Sequence, residues 1–80
     1  MIERKEFQKK IAKRIAELRE AQNISQSELA RRCFKDKQTI SRLESGDHAP
    51  VTFFLYEVAI GLGVKLSDII SAIEEEPERT

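Results

Sequence analysis

The polar side chains of residues 37–45 recur at a spacing that would place them together on one face of a helix. The hydrogen-bonding residues of this outward face are Gln38, Ser41, Arg42 and Ser45. The face contains no carboxylate. Arginine and glutamine are the side chains that pair in bidentate geometry with guanine and adenine in the major groove of DNA. We therefore predict base contacts from four residues of this helix, which are Arg42, Gln38, Lys37 and Ser41.

Two short helices must position this face, and capping signals mark where each begins. Ser25 and Glu28 form a capping box, in which the Ser25 hydroxyl accepts from the N–H of Glu28 and the Glu28 carboxylate reaches back to the N–H of Ser25. Asp36 is the predicted N-cap of the second helix. The few residues that separate the two helices predict a helix-turn-helix.

A second set of residues is predicted to hold the DNA backbone instead of reading bases. Gln26 lies in the first turn of the first short helix, where free N–H groups and the positive end of the helix dipole favour phosphate. The alternative is that Gln26 is an ordinary exposed first-turn residue. The other predicted phosphate contacts are Lys35, Thr39 and Ser45.

Ordered motifs extend across roughly residues 10–70. They are Ile24-Ser25-Gln26, Glu28-Leu29-Ala30, Thr39-Ile40-Ser41-Arg42-Leu43-Glu44, Gly46, Pro50, Leu62-Gly63-Val64 and Leu66-Ser67. Together they resemble the lambda-repressor-like, Cro-type helix-turn-helix domain, also called the XRE family. The resemblance implies an all-α, compact five-helix DNA-binding domain with its helix-turn-helix at helices 2 and 3. It also favours the phosphate role of Gln26.

One pair of opposite charges is predicted to be structural. Arg19 follows Ile15 by four residues at the margin of the first apolar stripe, and Glu44 borders the inward face of the reading helix. The family resemblance implies the same Arg and Glu partnership. We expect a semi-buried ion pair that fixes the angle of the reading helix. Removing one partner of such a pair costs ~3 kcal/mol or more when burial is complete.

Charge is unevenly distributed along the chain, although its 14 Lys and Arg balance its 14 Asp and Glu. Residues 1–42 hold 12 Lys and Arg against 6 Asp and Glu, a net charge of +6. Residues 43–80 hold 2 against 8, a net charge of −6. A field of that kind steers one end of a protein towards a polyanion such as double-stranded DNA.

The length of 80 residues predicts one small domain, which a partner subunit would help to stabilise.

Several classes of function lack their chemical parts in this sequence. One cysteine and one histidine cannot form an internal disulfide, a metal cluster or a nucleophile–base pair. We expect Cys33 to be a small buried residue. His48 is a candidate for a phosphate contact, and Asp47 beside it opposes that contact because it carries a charge of the same sign as phosphate. We therefore expect no enzyme activity, no metal, no cofactor and no small-molecule ligand.

No segment predicts a membrane location. The first ten residues are charged, so they do not form a signal peptide. The longest apolar region, residues 51–64, contains Glu57 and is too short to cross a bilayer. We predict a cytoplasmic protein.

The remaining apolar periodicity predicts three further helices, at residues 3–22, 51–62 and 66–76. Thr52 is the predicted N-cap of helix four, and Gly63 is its predicted C-cap. Pro77 ends helix five. The single domain is therefore predicted to span residues 1–76, followed by a frayed tail at residues 77–80.

Two residues in the predicted turns, Asn23 and Phe34, bear on the left-handed backbone conformation. Asn23 follows helix one and tolerates the left-handed conformation that a helix C-terminus often needs. Phe34 stands where the related family usually has glycine, and a left-handed Phe costs ~1 kcal/mol or more. Either the turn differs here, or Phe34 gains packing that offsets the cost.

Helix four carries a second apolar stripe that a lone monomer would not cover. Its residues are Phe53, Tyr56 and Ile60. We expect them to form a homodimer interface together with Ile70 and Ile73 of helix five.

The leading prediction is a sequence-specific transcriptional regulator, a repressor, that binds a palindromic operator as a homodimer. The alternative is a protein-binding module, such as an antitoxin-like partner, that uses the Phe53, Tyr56, Ile60 and Ile70 surface.

Overall fold

Five helices make up the regular secondary structure of the described chain. The computed structural model describes residues 2–47 and 49–75. The helices are α1 (Arg4–Ala21), α2 (Gln26–Arg32), α3 (Lys37–Ser45), α4 (Thr52–Leu62) and α5 (Leu66–Glu74). The predicted all-α, five-helix fold is therefore confirmed. The predicted tail at residues 77–80 lies outside the described residues, and the domain boundary at residue 76 stays a prediction.

Side-chain caps begin α2 and α3, as their sequences predict. The Ser25 hydroxyl accepts from the N–H of Glu28 at 3.0 Å, and an Asp36 carboxylate oxygen accepts from the N–H of Thr39 at 2.8 Å. The reciprocal half of the predicted capping box is wrong. The Glu28 carboxylate accepts from the guanidinium groups of Arg31 and Arg32 instead of from the backbone of Ser25.

Residues with positive φ follow each of the first four helices, and the one after α2 is Phe34, with φ of 58°. Asn23 after α1, Gly46 after α3 and Gly63 after α4 have φ of 57°, 76° and 72°, so the predictions for Asn23 and Gly63 are confirmed. At the other end of α4, the prediction that Thr52 is the N-cap is wrong. Val51 is the extended residue before the helix, and it makes no side-chain cap hydrogen bond.

The core lies where the apolar stripes of the five helices meet. α1 packs against α3 and α5, α2 packs against α3 and α4, and α4 packs against α5. The largest fully buried side chains are Ile11, Ile15, Leu29, Ile40, Leu43, Val58 and Ile69. Burial of an aliphatic side chain of this size contributes about 1.5–3 kcal/mol. Because Ile40 and Leu43 belong to this set, α3 is held by its inner face and presents its outer face to solvent.

Two sequence predictions concern the edge of this core. Cys33 is buried, and its thiol donates to the carbonyl oxygen of Leu29 at 3.1 Å, so the prediction of a small buried residue is confirmed. Burial raises the pKa of this thiol. Ile73 is only 5% exposed and belongs to the core. Its assignment to an exposed dimer interface is therefore wrong, because it follows the buried Ile69 by one helical turn and shares its inward face.

Candidate nucleic-acid interface

The outer face of α3 carries four polar side chains that are available to an external ligand. Lys37, Gln38, Ser41 and Arg42 are all exposed. None of these four side chains makes a hydrogen bond or ion pair within residues 2–47 and 49–75. All four residues predicted to read bases therefore lie together on one solvent-facing surface, and their side-chain donors and acceptors are free of partners among the described residues.

The carboxylate of Glu44, which is largely buried, connects α3 to α1 on the side away from its exposed face. Glu44 accepts two hydrogen bonds from the Arg19 guanidinium, at 2.8 Å from Nε and 3.1 Å from Nη2. The Glu44 side chain is 7% exposed and that of Arg19 is 14% exposed. The hydrogen bond with Glu44 raises the pKa of Arg19 above its usual value. The structure thus brings together the two residues that the sequence pairs.

Gln26 takes part in the same junction. Its side-chain amide donates to the Glu44 Oε1 atom at 3.1 Å. The Arg19 guanidinium also donates to the carbonyl oxygen of Ile24 at 2.8 Å. Donors from α1 and α2 therefore converge on one carboxylate of α3. The orientation of α3 relative to the other two helices is fixed by short polar contacts as well as by apolar packing.

The other residues predicted to contact phosphate also have partners within the chain. The Thr39 hydroxyl donates to Asp36 at 2.7 Å, and this bond is the largest cause of the lowered pKa of the Asp36 carboxyl. The Ser45 hydroxyl donates to the carbonyl oxygen of Arg42 at 2.6 Å. Lys35 Nζ lies 3.2 Å from Oε1 of Glu57. The predicted phosphate-contacting residues differ in this respect from Lys37, Gln38, Ser41 and Arg42, whose side chains have no such partner in the described part of the chain.

Lys35 is directed towards α4. Besides its ion pair with Glu57, its ammonium lies 5.7 Å from the centre of the Phe54 ring. Sequence reasoning missed this arrangement. A contact between residues 22 positions apart, 35 and 57, carries no local spacing signal, and it depends on how α4 is rotated against the turn. A phosphate contact by Lys35 would have to compete with the Glu57 carboxylate.

The cations of α2 are engaged within the chain as well. Arg31 and Arg32 donate to the Glu28 carboxylate. These hydrogen bonds lower the pKa of Glu28 to about 2, and the bond from Arg31 has the larger effect. Arg32 also donates to the Gln22 side-chain oxygen at 3.1 Å, and Gln22 donates to the Leu62 carbonyl oxygen at 2.6 Å. The pairs of Glu28 with Arg31 and Arg32 could have been predicted from the sequence, because their spacings are i,i+3 and i,i+4.

The turn between α2 and α3 keeps the left-handed conformation in spite of its bulky residue. Phe34 has φ of 58° and is 94% exposed. Its N–H donates to the carbonyl oxygen of Arg31 at 3.3 Å, and the next N–H, of Lys35, donates to Ala30 at 2.8 Å. Both alternatives predicted from the sequence, a different turn and packing of the ring that offsets the strain, are therefore wrong.

The second apolar stripe of α4 lies on the surface. Phe53, Tyr56 and Ile60 are 67%, 49% and 58% exposed. The rings of Phe53 and Tyr56 lie beside each other, with their centres 6.2 Å apart. Ile70 of α5 is partly buried and packs against the core. The predicted self-pairing surface therefore consists chiefly of three side chains of α4.

Some sequence predictions have no structural counterpart to describe. His48 lies outside the described residues. Across residues 2–47 and 49–75, no group of His, Cys, Asp and Glu side chains is arranged to hold a metal ion. In the same part of the chain, no helix has the length and apolar character needed to span a membrane.

Comparison with known proteins adds to this geometry. The chain matches a family model described as helix-turn-helix over residues 15–69. It is 31% identical over 72 residues to the "Uncharacterized HTH-type transcriptional regulator y4dJ" of Sinorhizobium fredii, which covers 90% of this chain and 94% of that protein. It is 38% identical over 63 residues to an "Uncharacterized HTH-type transcriptional regulator" of Archaeoglobus fulgidus, which covers 79% of this chain and 89% of that protein.

Proposed function

This chain belongs to the XRE-type helix-turn-helix family of DNA-binding transcriptional regulators, and we propose that it is a repressor that binds a palindromic operator as a homodimer. The observation that carries the proposal is the outer face of α3. Its four exposed polar side chains make no hydrogen bond or ion pair with the described residues, and Glu44 of the same helix is held by Arg19 and Gln26. Such a helix matches the major groove in width and in hydrogen-bonding character.

Base reading is assigned to the residues on this face. Arg42 pairs with a guanine, and Gln38 pairs with an adenine, each in bidentate geometry. Lys37 and Ser41 make further contacts at the edges of neighbouring bases. Each good bidentate pair contributes about 1–3 kcal/mol of discrimination against the wrong base.

The backbone contacts come from residues that already have partners. Gln26, Lys35, Thr39 and Ser45 flank the reading face, and phosphate oxygens are strong acceptors for their amide, ammonium and hydroxyl donors. For Lys35 the contact requires exchange of the Glu57 carboxylate for a phosphate. Lys35 is therefore the member of this set whose contribution depends most on ionic strength.

Self-pairing is assigned to the second stripe of α4. Phe53, Tyr56 and Ile60 form an exposed apolar surface on one helix. A two-fold axis through such a surface would present two copies of α3 to half-sites about 34 Å apart, which accounts for a palindromic operator. Occupation of an operator that overlaps a promoter would exclude the polymerase, and the protein would then act as a repressor.

The test is selection of bound duplexes from a random pool at two salt concentrations, followed by the Arg42→Ala variant. We expect the parent protein to enrich a palindrome, and Arg42→Ala to lose preference at one base pair in each half-site. Arg31→Ala is a matched control, because Arg31 is also exposed but is paired with Glu28. It should leave the base preference unchanged. If no palindrome is enriched, or if Arg42→Ala weakens binding to all sequences equally, the proposed base reading is wrong.

The exposed stripe of α4 also favours a second candidate, a protein-binding module of the antitoxin type. In that case a different protein would cover Phe53, Tyr56 and Ile60. Gel filtration separates the two candidates. A stable homodimer supports self-pairing, whereas a monomer that leaves this surface open supports a foreign partner.

A further inference from the structure

α1 carries a row of lysines that none of the contacts described above explains. Lys5, Lys9 and Lys13 follow one another at intervals of four residues, and all three are exposed. Residues at this spacing lie one above the other on a helix. At 1.5 Å of rise per residue the row is roughly 12 Å long. Like charges at i and i+4 destabilise a helix, so repulsion within the row is a small cost to the isolated fold.

The row differs from four other cations of the basic half of the chain. Arg19, Arg31, Arg32 and Lys35 all form ion pairs with carboxylates. Lys5, Lys9 and Lys13 form none with the residues that the structure describes, although Glu6 and Glu17 lie on the same helix. Arg4 and Arg14 of α1 and Lys37 and Arg42 of α3 likewise form no ion pair with the described residues. In the described part of the basic half, the cations that lack an ion pair therefore lie on α1 and α3.

Lys9 lies at the point where these two helices meet. Gly46 ends α3, and a Cβ atom added there would be 3.3 Å from the Lys9 Cα, 3.5 Å from its Cγ and 3.5 Å from the Ala12 Cβ. The backbones of α1 and α3 are therefore in direct contact at the C-terminal end of α3. The Lys9 ammonium, at the end of a flexible four-carbon stem, is available to a ligand that extends past this end of the reading helix.

We propose that Lys5, Lys9 and Lys13 form a second phosphate-binding surface, which contacts the DNA backbone beside the groove that α3 occupies. This inference rests on the proposed function and extends its contact surface from the helix-turn-helix to α1. Each strand of duplex DNA carries one phosphate per 3.4 Å of helix axis, so a row of roughly 12 Å is long enough to meet several phosphates. Contacts of this kind add affinity and set the position of the protein on DNA without reading sequence.

The test measures the salt dependence of binding to the selected operator. Lys9→Gln should reduce the slope of log K against log salt concentration by about 1, and the Lys5→Gln, Lys9→Gln, Lys13→Gln triple variant should reduce it by about 3. The corresponding triple Lys→Arg variant should keep the parental slope, because it keeps the charge. Lys65→Gln is the matched control for loss of one exposed lysine, since Lys65 lies in the acidic half of the chain.

A phosphate map provides the second measurement. Ethylation of individual phosphates should reveal positions that weaken binding of the parent protein and have no effect on the triple Lys→Gln variant. If the triple variant and Lys65→Gln change the slope alike, or if the two phosphate maps coincide, the row is only a solvated helix face and the inference is wrong. Circular dichroism of each variant checks that its fold is unchanged.

Failure of this inference is distinguishable from failure of the proposed function. If the parent protein selects a palindrome and the triple variant keeps the parental slope, only the inference fails. If the parent protein selects no sequence, the proposed function fails. The row is then tested on a duplex of arbitrary sequence, where loss of slope in the triple variant would still support phosphate binding and an unchanged slope would exclude it.

Discussion

Phe34 combines backbone strain with an exposed ring, so its replacement should raise stability. Its φ of 58° costs a non-glycine residue roughly 1 kcal/mol, and its ring is too exposed to return that energy through packing. Glycine loses more entropy on folding, which offsets part of the gain. We expect Phe34→Gly to leave the free energy of unfolding unchanged or to raise it by up to about 1 kcal/mol in a urea melt.

Phe34→Ala is the control for the ring itself. Alanine keeps the Cβ atom and therefore most of the backbone strain, but it removes the aromatic side chain. Its urea midpoint should stay close to that of the parent protein. A large loss of stability in both variants would show that the ring packs in the folded protein in solution, contrary to its exposure of 94%.

Glu44 is the residue whose loss should cost most among the charged side chains. Glu44→Ala would leave Arg19 largely buried without its carboxylate, and Gln26 without its acceptor. We expect the free energy of unfolding to fall by about 3 kcal/mol. Glu20→Ala is the matched control. Glu20 is 3.9 Å from the same guanidinium but is 69% exposed, so its removal should change stability by less than about 1 kcal/mol. Equal effects of the two substitutions would contradict the buried junction.

Individual residues also show what sequence reasoning can and cannot reach. The Arg19 and Glu44 contact was predictable because each residue lies at the margin of an apolar stripe, and because the family resemblance implies the pair. The Lys35 and Glu57 contact was not predictable, because it depends on the rotation of α4 against the turn. Ile73 was misplaced because apolar character alone does not show which face of a helix meets the core.

At the scale of elements, the end of α3 is defined by its close approach to α1. Gly46→Ala would incur both the strain of a positive φ and a contact of 3.3 Å with the backbone of Lys9. Gly63→Ala at the end of α4 is the matched control, since its φ is similar but nothing lies within 4 Å of the added Cβ. We expect a loss of about 1 kcal/mol for Gly63→Ala and a larger loss for Gly46→Ala. Equal thermal shifts would mean that α1 moves away without cost.

The bounds of the helices were largely available from local chemistry. Ser25 and Asp36 mark the starts of α2 and α3 because their side chains accept from N–H groups three residues later. The reciprocal bond from Glu28 fails because two arginines within one turn are stronger donors to its carboxylate than a backbone N–H. The start of α4 was misjudged by one residue because Val51, which has no capping group, precedes it.

At the scale of the whole molecule, the apolar stripe of α4 should control association. We expect Ile60→Lys to elute as a monomer in gel filtration and to retain its helical content, because Ile60 is 58% exposed and does not support the core. Phe34→Lys is the matched control, since it also replaces an exposed apolar residue but lies in the turn before α3. Its oligomeric state should be that of the parent protein. A dimer that persists in Ile60→Lys would place the two-fold axis elsewhere.

The convergence of three helices on Glu44 has a thermodynamic consequence for the encounter with DNA. Because α3 is oriented in the free protein, the conformational entropy of aligning it is lost during folding and not during complex formation. Operator binding by a rigid domain should show a heat-capacity change that corresponds to the docked surface alone. The larger negative change that accompanies coupled folding should be absent. Calorimetry at several temperatures would then distinguish a preorganised reading helix from one that orders only on contact.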